Sequence, residues 1–440
     1  MSKELKYWRG IEELENTPEF AKLKENEFAE QLPMDEFLGD SSLAEGKTPR
    51  RDFLKFLGFG VTAATLAACE APVTKTIPYL FKPEEVTVGI ANYYASTYFD
   101  GYDYCSVLVK TREGRPIKVI GNDLSAVTLG GINSRVQASV LNLYDAERLK
   151  GAVKNGAPIS WASADKEIGD KLAAIAGRKG KIAILSSTII SPSTTRAIDE
   201  FTAKYGNVEV VQYDSVSYAG IATANGLSFG KAVIPTYSFD KAETIVGIGA
   251  DFLCSWLSPQ EHAIQYAKGK KIETGADHKN IKLSRHFQFE SGMSLTGSNA
   301  DIRTMVKPSE IGIVAINLYN EIAKSKGKAT LPTRKLDKAD INIAKAAKEL
   351  LASAGKSLVV AGSNNPDVQV IVNGINDMLG NYGNTINLDV ADKTKQGSEK
   401  AVTNLVTQMN AGAVEAVLVL GVNPVYTLPN AKDFSAGLKK

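Results

Sequence analysis

From about Ser160 onward, short apolar runs alternate with stretches of helical period. The runs at 181–185, 208–211, 244–248, 358–361 and 416–420 are rich in β-branched residues and too short for helices, as the strands of a parallel sheet covered on both faces are. Between them the spacing predicts helices over 162–176, 193–205, 261–267, 311–324, 339–354 and 367–379. Strand and helix in turn make an α/β, doubly wound architecture. No closing element is predicted after the last strand, which ends twenty residues before Lys440.

The stretch before this region has period two instead. Residues 93–99 form an extended aromatic segment, and runs at 104–111 and 116–120 flank a turn at Arg112-Glu113-Gly114, which predicts a β-hairpin. A glycine pair, Gly130-Gly131, then leads into a short helix capped by Asn133 or Ser134. The chain therefore divides into a leader at 1–68, a small β-rich part at 69–155 and Rossmann-like α/β domains at 156–440.

The leader has a pattern of its own. Thr48-Pro49-Arg50-Arg51-Asp52-Phe53-Leu54-Lys55 precedes thirteen uncharged residues, Phe56 to Ala68, and reads as a twin-arginine export signal carried by Arg50, Arg51, Phe53, Leu54 and Lys55. Thirteen residues at a rise of about 1.5 Å span roughly 20 Å, less than the roughly 30 Å hydrocarbon core of a bilayer. The run ends at Leu66-Ala67-Ala68-Cys69, which resembles a lipobox with Cys69 as the acylated N-terminus. A buried cysteine closing an ordinary core helix is the alternative. Forty-seven residues, with 6 basic and 12 acidic side chains, precede the signal, where a simple n-region would be short and basic.

Charge and cysteine count narrow the chemistry. Lys+Arg 51 against Asp+Glu 49 gives +2, and the 372 residues from Cys69 onward carry +6, so no basic surplus points to nucleic acid. Cys69, Cys105 and Cys254 are too far apart for a zinc or iron-sulfur site built from this chain alone. Cys105 and Cys254 read as two buried free thiols. Strand-end turns at Ser186-Ser187-Thr188, Gly247–Asp251, Ala361–Pro366 and Gly421–Pro424 could hold an anion. Gly247 and Gly249 begin a dinucleotide fingerprint, but Phe252 replaces its third glycine. No Ser, His and Asp set emerges, and His286 reads as a lone surface histidine.

Three segments carry a family resemblance: Tyr93-Tyr94-Ala95-Ser96-Thr97, the run 109–122 around Gly114-Arg115-Pro116-Ile117-Lys118, and 137–149. Together they resemble the N-terminal part of the molybdopterin oxidoreductase superfamily. With the leader, Gly249-Ala250-Asp251-Phe252-Leu253, and Glu290 to Asp301 containing Met293-Ser294-Leu295-Thr296-Gly297, the chain also resembles the B subunit of alternative complex III, a quinol-oxidising respiratory complex.

The resemblance implies a molybdopterin oxidoreductase-like α/β fold, but the sequence departs from active members. Residues 70–104 contain no cysteine for a [4Fe-4S] cluster. The molybdenum-ligating region reads Gln212-Tyr213-Asp214-Ser215-Val216-Ser217, with Asp214 and Ser215 as conceivable ligands. The pterin-contacting Pro-Gly-Thr-Asp turn appears as Pro308-Ser309-Glu310-Ile311. What the resemblance implies is a catalytically silent scaffold with no molybdenum and no cofactor in this chain. Its [4Fe-4S] and [3Fe-4S] clusters would sit in a C-terminal ferredoxin-like module that either follows this chain in a longer protein or forms a separate chain, and the abrupt end near Asn423-Pro424 favours the first. Its partners would be a multihaem cytochrome c and integral quinol-binding subunits, on the periplasmic face of the cytoplasmic membrane, with a lipid anchor. An active molybdopterin oxidoreductase of the polysulfide reductase kind and a periplasmic small-anion-binding lipoprotein are the alternatives.

Overall fold

A computed structural model describes residues 87, 89–272 and 282–440, all within one unit spanning Pro83–Lys440. Arg50, Arg51, Phe53, Leu54, Lys55, Cys69 and His278 lie outside the described residues.

The β-rich part is an antiparallel meander of β1 (Asn92–Phe99), β2 (Tyr104–Arg112) and β3 (Arg115–Gly121). Glu113 and Gly114 join β2 to β3 with φ of 52° and 77°, the two positive values that a two-residue type I′ hairpin requires. Helix α1 (Ser134–Ala138) is capped by Asn133, whose side chain accepts a hydrogen bond from the Val136 amide. Cys105, Val107, Val119 and Val136 form its small core. A second hairpin, β4 (Ala152–Lys154) and β5 (Ala157–Ile159), turns through Asn155-Gly156, again both at positive φ.

Helix α2 (Trp161–Gly177), capped by Ser160, begins the α/β region. Strands β6 (Ile182–Ser186) and β7 (Val208–Gln212) pair in parallel around α3 (Pro192–Tyr205). The chain then leaves this sheet through α4 (Ala219–Phe229) and β8 (Pro235–Tyr237). A second, four-stranded parallel sheet follows, built from β9 (Thr244–Ile248), β10 (Arg285–Glu290), β11 (Ile302–Met305) and β12 (Ser357–Ala361) in the order β11-β10-β9-β12. Its connecting helices are α5 (Pro259–Lys270), α6 (Leu295–Ser298), α7 (Ile311–Ser325) and α8 (Lys338–Ala352). After α9 (Pro366–Leu379), β13 (Ile386–Ala391) pairs antiparallel with β8, and α10 (Glu399–Asn410) leads to β14 (Ala416–Leu420). β14 returns to pair in parallel with β6, so the first sheet has the order β14-β6-β7.

All five strand runs expected from the apolar pattern are strands, and the six expected helices match in place. Two short helices that the apolar pattern does not predict, α11 (Pro424–Thr427) and α12 (Ala431–Gly437), follow β14. The second anchors by burying Phe434 beside Val406 and Met409 of α10. The second sheet is the larger core: Phe287 and Phe289 point to one face with Val246, Val314, Leu318 and Ile343, and each fully buried phenylalanine contributes about 1.5–3 kcal/mol.

His286 is a correction to the surface reading, because it lies fully buried on the central strand β10. Its ring nitrogens face Tyr266 Oη at 3.2 Å and Gln288 Oε1 at 3.3 Å, and burial pulls its pKa down to about 4. Cys254 is a second correction: Cys105 and Cys254 are both free, but only Cys105 is buried, and burial pushes its thiol up to about 12.

Candidate functional site at the strand-end crevices

In the first sheet the central strand β6 is followed by β7 on one side, while β14 lies on the other. Connections that leave in opposite directions open a crevice outside the strand C-termini. A cleft of about 680 Å³ opens there, lined by Ser186, Ser187, Thr188, Ser191, Thr194 and Gly421 together with Thr97 and Tyr104 of the β-rich part. Ser186 is 2% exposed, and its Oγ has no hydrogen-bond partner among the described residues. Helix α3 starts at this cleft with Ser191 as its cap, Pro192 in its first turn and no acidic residue there. No carboxylate lines the cleft. Hydroxyls, a helix N-terminus and an orphaned buried oxygen suit an anionic group such as a phosphate.

The equivalent crevice of the second sheet, between β9 and β12, is closed by its own backbone. The Gly362 amide donates to Ile248 O at 3.0 Å, and a Cβ on Gly362 would lie 2.1 Å from Gly249 O. Gly247 is needed for the same reason, since a Cβ there would meet Gln288 Oε1 at 1.9 Å. Phe252 is fully buried and stacks on Phe239 with centroids 4.3 Å apart. These glycines therefore serve close packing, and the partial dinucleotide fingerprint is a packing device. Asp251 accepts from Thr296 N at 3.1 Å and Oγ1 at 2.8 Å. Glu290 accepts from Ser294 Oγ and Arg303 Nε, both at 2.5 Å. The motif from Glu290 to Gly297 is thus a turn pinned by two carboxylates.

The positions where a molybdenum centre would be held do not fit one. Asp214 is buried, and its carboxylate accepts from Thr188 N at 3.4 Å, Thr188 Oγ1 at 3.0 Å and Gly397 N at 2.9 Å. It fastens two loops together, while Ser215 beside it is exposed. Glu310, where the pterin-contacting turn is expected, accepts from its own Lys307 amide at 3.0 Å and lies 3.6 Å from Arg334. That carboxylate is turned back onto the Lys307 amide and Arg334 and makes no capping hydrogen bond to α7. Among the described residues no group of three His, Cys, Asp or Glu side chains is placed to hold a metal ion.

A junction that the sequence did not reveal fixes the β-rich part to this region. Asp103 accepts from Arg135, Asn133 and Gln260 of α5. Burial alone would raise the Asp103 carboxyl, but the hydrogen bonds from Arg135 and Gln260 outweigh it and hold the pKa below the ordinary value. Lys395 is 5% exposed and donates to Gly101 O at 2.6 Å and Tyr102 O at 3.1 Å. Burial lowers its pKa. Its neighbours Gln396 and Gly397 donate to Thr188 and Asp214, so one short segment ties the β-rich part to the first sheet.

No family model matches the chain. It is 26% identical over 454 aligned residues to the menaquinone reductase, molybdopterin-binding-like subunit of Nitratidesulfovibrio vulgaris (strain Hildenborough), covering 89% of this chain and 61% of that protein. Among solved structures it is similar to the acetylene hydratase of Pelobacter acetylenicus, with a TM-score of 0.54 at 12% identity over 76% of this chain and 58% of that one. The chain thus spans about three fifths of the length of both. At such identity the second likeness is one of fold alone, an α/β fold similar to that of the acetylene hydratase.

Proposed function

We propose that this chain is the exported, molybdopterin-oxidoreductase-like subunit of a quinone-linked respiratory membrane complex, of the kind represented by the B subunit of alternative complex III. Within that complex it is a silent scaffold that holds no molybdenum and supports electron transfer between its partners. The observation that carries the silence is Asp214, whose oxygens are taken up by Thr188 and Gly397. The quinone link is supported by the name of the menaquinone reductase subunit and by the segments resembling alternative complex III. The twin-arginine segment with Arg50, Arg51, Phe53, Leu54 and Lys55 would deliver it to the periplasmic face, and acylation of Cys69 would keep it at the membrane. No described helix is long and apolar enough to cross a bilayer.

Affinity purification of the full chain from mild-detergent extracts of its native membranes tests the assignment. A multihaem cytochrome c, integral quinol-binding subunits and [4Fe-4S] and [3Fe-4S] clusters should come with it. The open cleft between β6 and β14 favours a second reading, a periplasmic lipoprotein that binds a small anion there. That protein would purify alone and be stabilised by inorganic pyrophosphate.

A further inference from the structure

A second cavity, of about 470 Å³, lies where Tyr104 of the β-rich part, the first turns of α5, strand β8 and residues 390–394 meet. Its polar lining is one-sided. Glu261 and Asp392 both face it, and neither makes an ion pair among the described residues. Glu261 has one partner, Gln265 Nε2 at 2.8 Å on Oε1, which leaves the other oxygen open. Asp392 accepts from Thr394 and from Ser258 Oγ at 3.1 Å. Lys393 is the one cation of the lining and is exposed. Burial, then the nearby Asp392 and Asp240, push Glu261 up to about 7.

An orphaned group lines the same cavity. His262 is 3% exposed, and its Nδ1 has no hydrogen-bond partner among the described residues. Burial holds this imidazole neutral, with a pKa of about 4, and in its Nε2–H tautomer Nδ1 is an acceptor. A buried polar atom without a partner and a carboxylate, Glu261, whose charged neighbours are Asp392 and Asp240 are each unfavourable. One ligand with a positive charge and several N–H donors relieves both, while Asp392 already feels the charge of the buried Lys395. Val127, Ile190, Leu257 and the rings of Tyr104 and Tyr237 also line it, with Thr236 and Ser238, and this apolar and aromatic share of the wall suits an organic body and favours a cation against ring faces.

We propose that this cavity binds a protonated amine with an apolar or aromatic body, its ammonium held between Glu261 and Asp392 with His262 Nδ1 as a third acceptor. The site is independent of the respiratory assignment. Because residues 390–394 line it and Lys395 to Gly397 fasten the β-rich part to the first sheet, an occupant would bear on the segment that joins them.

Isothermal titration of the full chain with phenethylammonium chloride at pH 8, where Glu261 is ionised, tests the proposal. The amine should bind with a millimolar or tighter dissociation constant. The alcohol 2-phenylethanol, with the same body and no charge, should bind at least tenfold more weakly. Glu261→Gln and Asp392→Asn should each weaken the amine at least tenfold. Equal binding of amine and alcohol, no heat with the amine, or undiminished affinity in both variants would overturn the proposal. The amine and alcohol comparison uses the unaltered protein, so it decides even where a variant misfolds.

Discussion

Arg135 grips Asp103 with both ends of its guanidinium edge, Nε to Oδ2 at 2.7 Å and Nη2 to Oδ1 at 3.0 Å. The carboxylate side chain is fully buried while the arginine remains half exposed, so the pair is fixed from the acidic side. Gln260 Nε2 adds a 2.7 Å bond from α5, and the pair becomes a rivet between the β-rich part and the second sheet's helices.

Asp103→Ala leaves those donors without an acceptor. Breaking a buried pair typically costs 3–5 kcal/mol, and a half-exposed arginine recovers water, so a loss of about 2–3 kcal/mol is expected. Arg135→Ala should cost at least as much, because it leaves the fully buried carboxylate with the neutral donors Gln260 and Asn133 and without its counter-charge. Urea unfolding gives the magnitude, and hydrogen exchange should show lost protection in β1 to β3. The Asp103 carboxyl is held below the ordinary carboxylate range in the folded state, so its contribution is present above the ordinary pKa of an aspartate and is lost as pH falls through the lowered one. An Asp103→Ala protein as stable as the parent would contradict this account.

The closed crevice makes an equally specific prediction. Gly362→Ala forces a methyl group to 2.1 Å from Gly249 O, and both sides of that contact are backbone. Overpacking of this kind costs about 1–3 kcal/mol or more. Gly292→Ala has nothing within 4 Å and should stay within about 0.5 kcal/mol of the parent. Thermal melts of the two variants side by side provide the check, and a neutral Gly362→Ala would mean that the crevice is open.

Acid stability should show two opposing contributions. His262 and His286 have folded pKa values of about 4 against an ordinary 6.5, so the unfolded chain takes up protons first and stability falls as pH drops through that window. Glu261 is raised to about 7 from 4.5, so the folded chain takes up its proton first and stability rises as pH drops from 7 to 4.5. Between pH 8 and 5 each histidine removes about 2 kcal/mol and Glu261 returns about as much, by proton linkage. Glu261→Gln should therefore steepen the acid loss from about 2 to about 4 kcal/mol. Denaturant midpoints at the two pH values measure it, and parallel slopes would contradict the assignment.

The strands and helices legible in the sequence were those whose apolar period survives on its own, as in β6, β9 and β12. The strand β10 was not, because Arg285-His286-Phe287-Gln288-Phe289-Glu290 alternates polar and apolar residues yet is buried on both faces. Its polar side is satisfied by contacts that no local pattern encodes: His286 with Tyr266 and Gln288, Gln288 with Ala250 O, and Glu290 with Arg303. Helix α4 was missed because Gly220, Asn225 and Gly226 dilute its period, although Gly220 is required where a Cβ would lie 2.2 Å from Asn364 O. Ser186, Ser187 and Thr188 were visible as a strand-end turn. That they face Gly421 follows only from β14 returning beside β6 across more than two hundred residues. The rivet of Asp103 with Gln260 spans 157 residues, and Lys395 reaches Gly101 across 294, distances at which sequence alone gives no register.

We propose a molybdopterin oxidoreductase-like scaffold that holds no molybdenum, with Asp214 tied to Thr188 and Gly397 and Glu310 bonded to the Lys307 amide. The most direct test is elemental analysis of the purified complex by inductively coupled plasma mass spectrometry, with molybdenum and tungsten normalised to this chain. The account predicts neither metal above background, with iron present from partner haems and clusters. One molybdenum or tungsten per chain would contradict it.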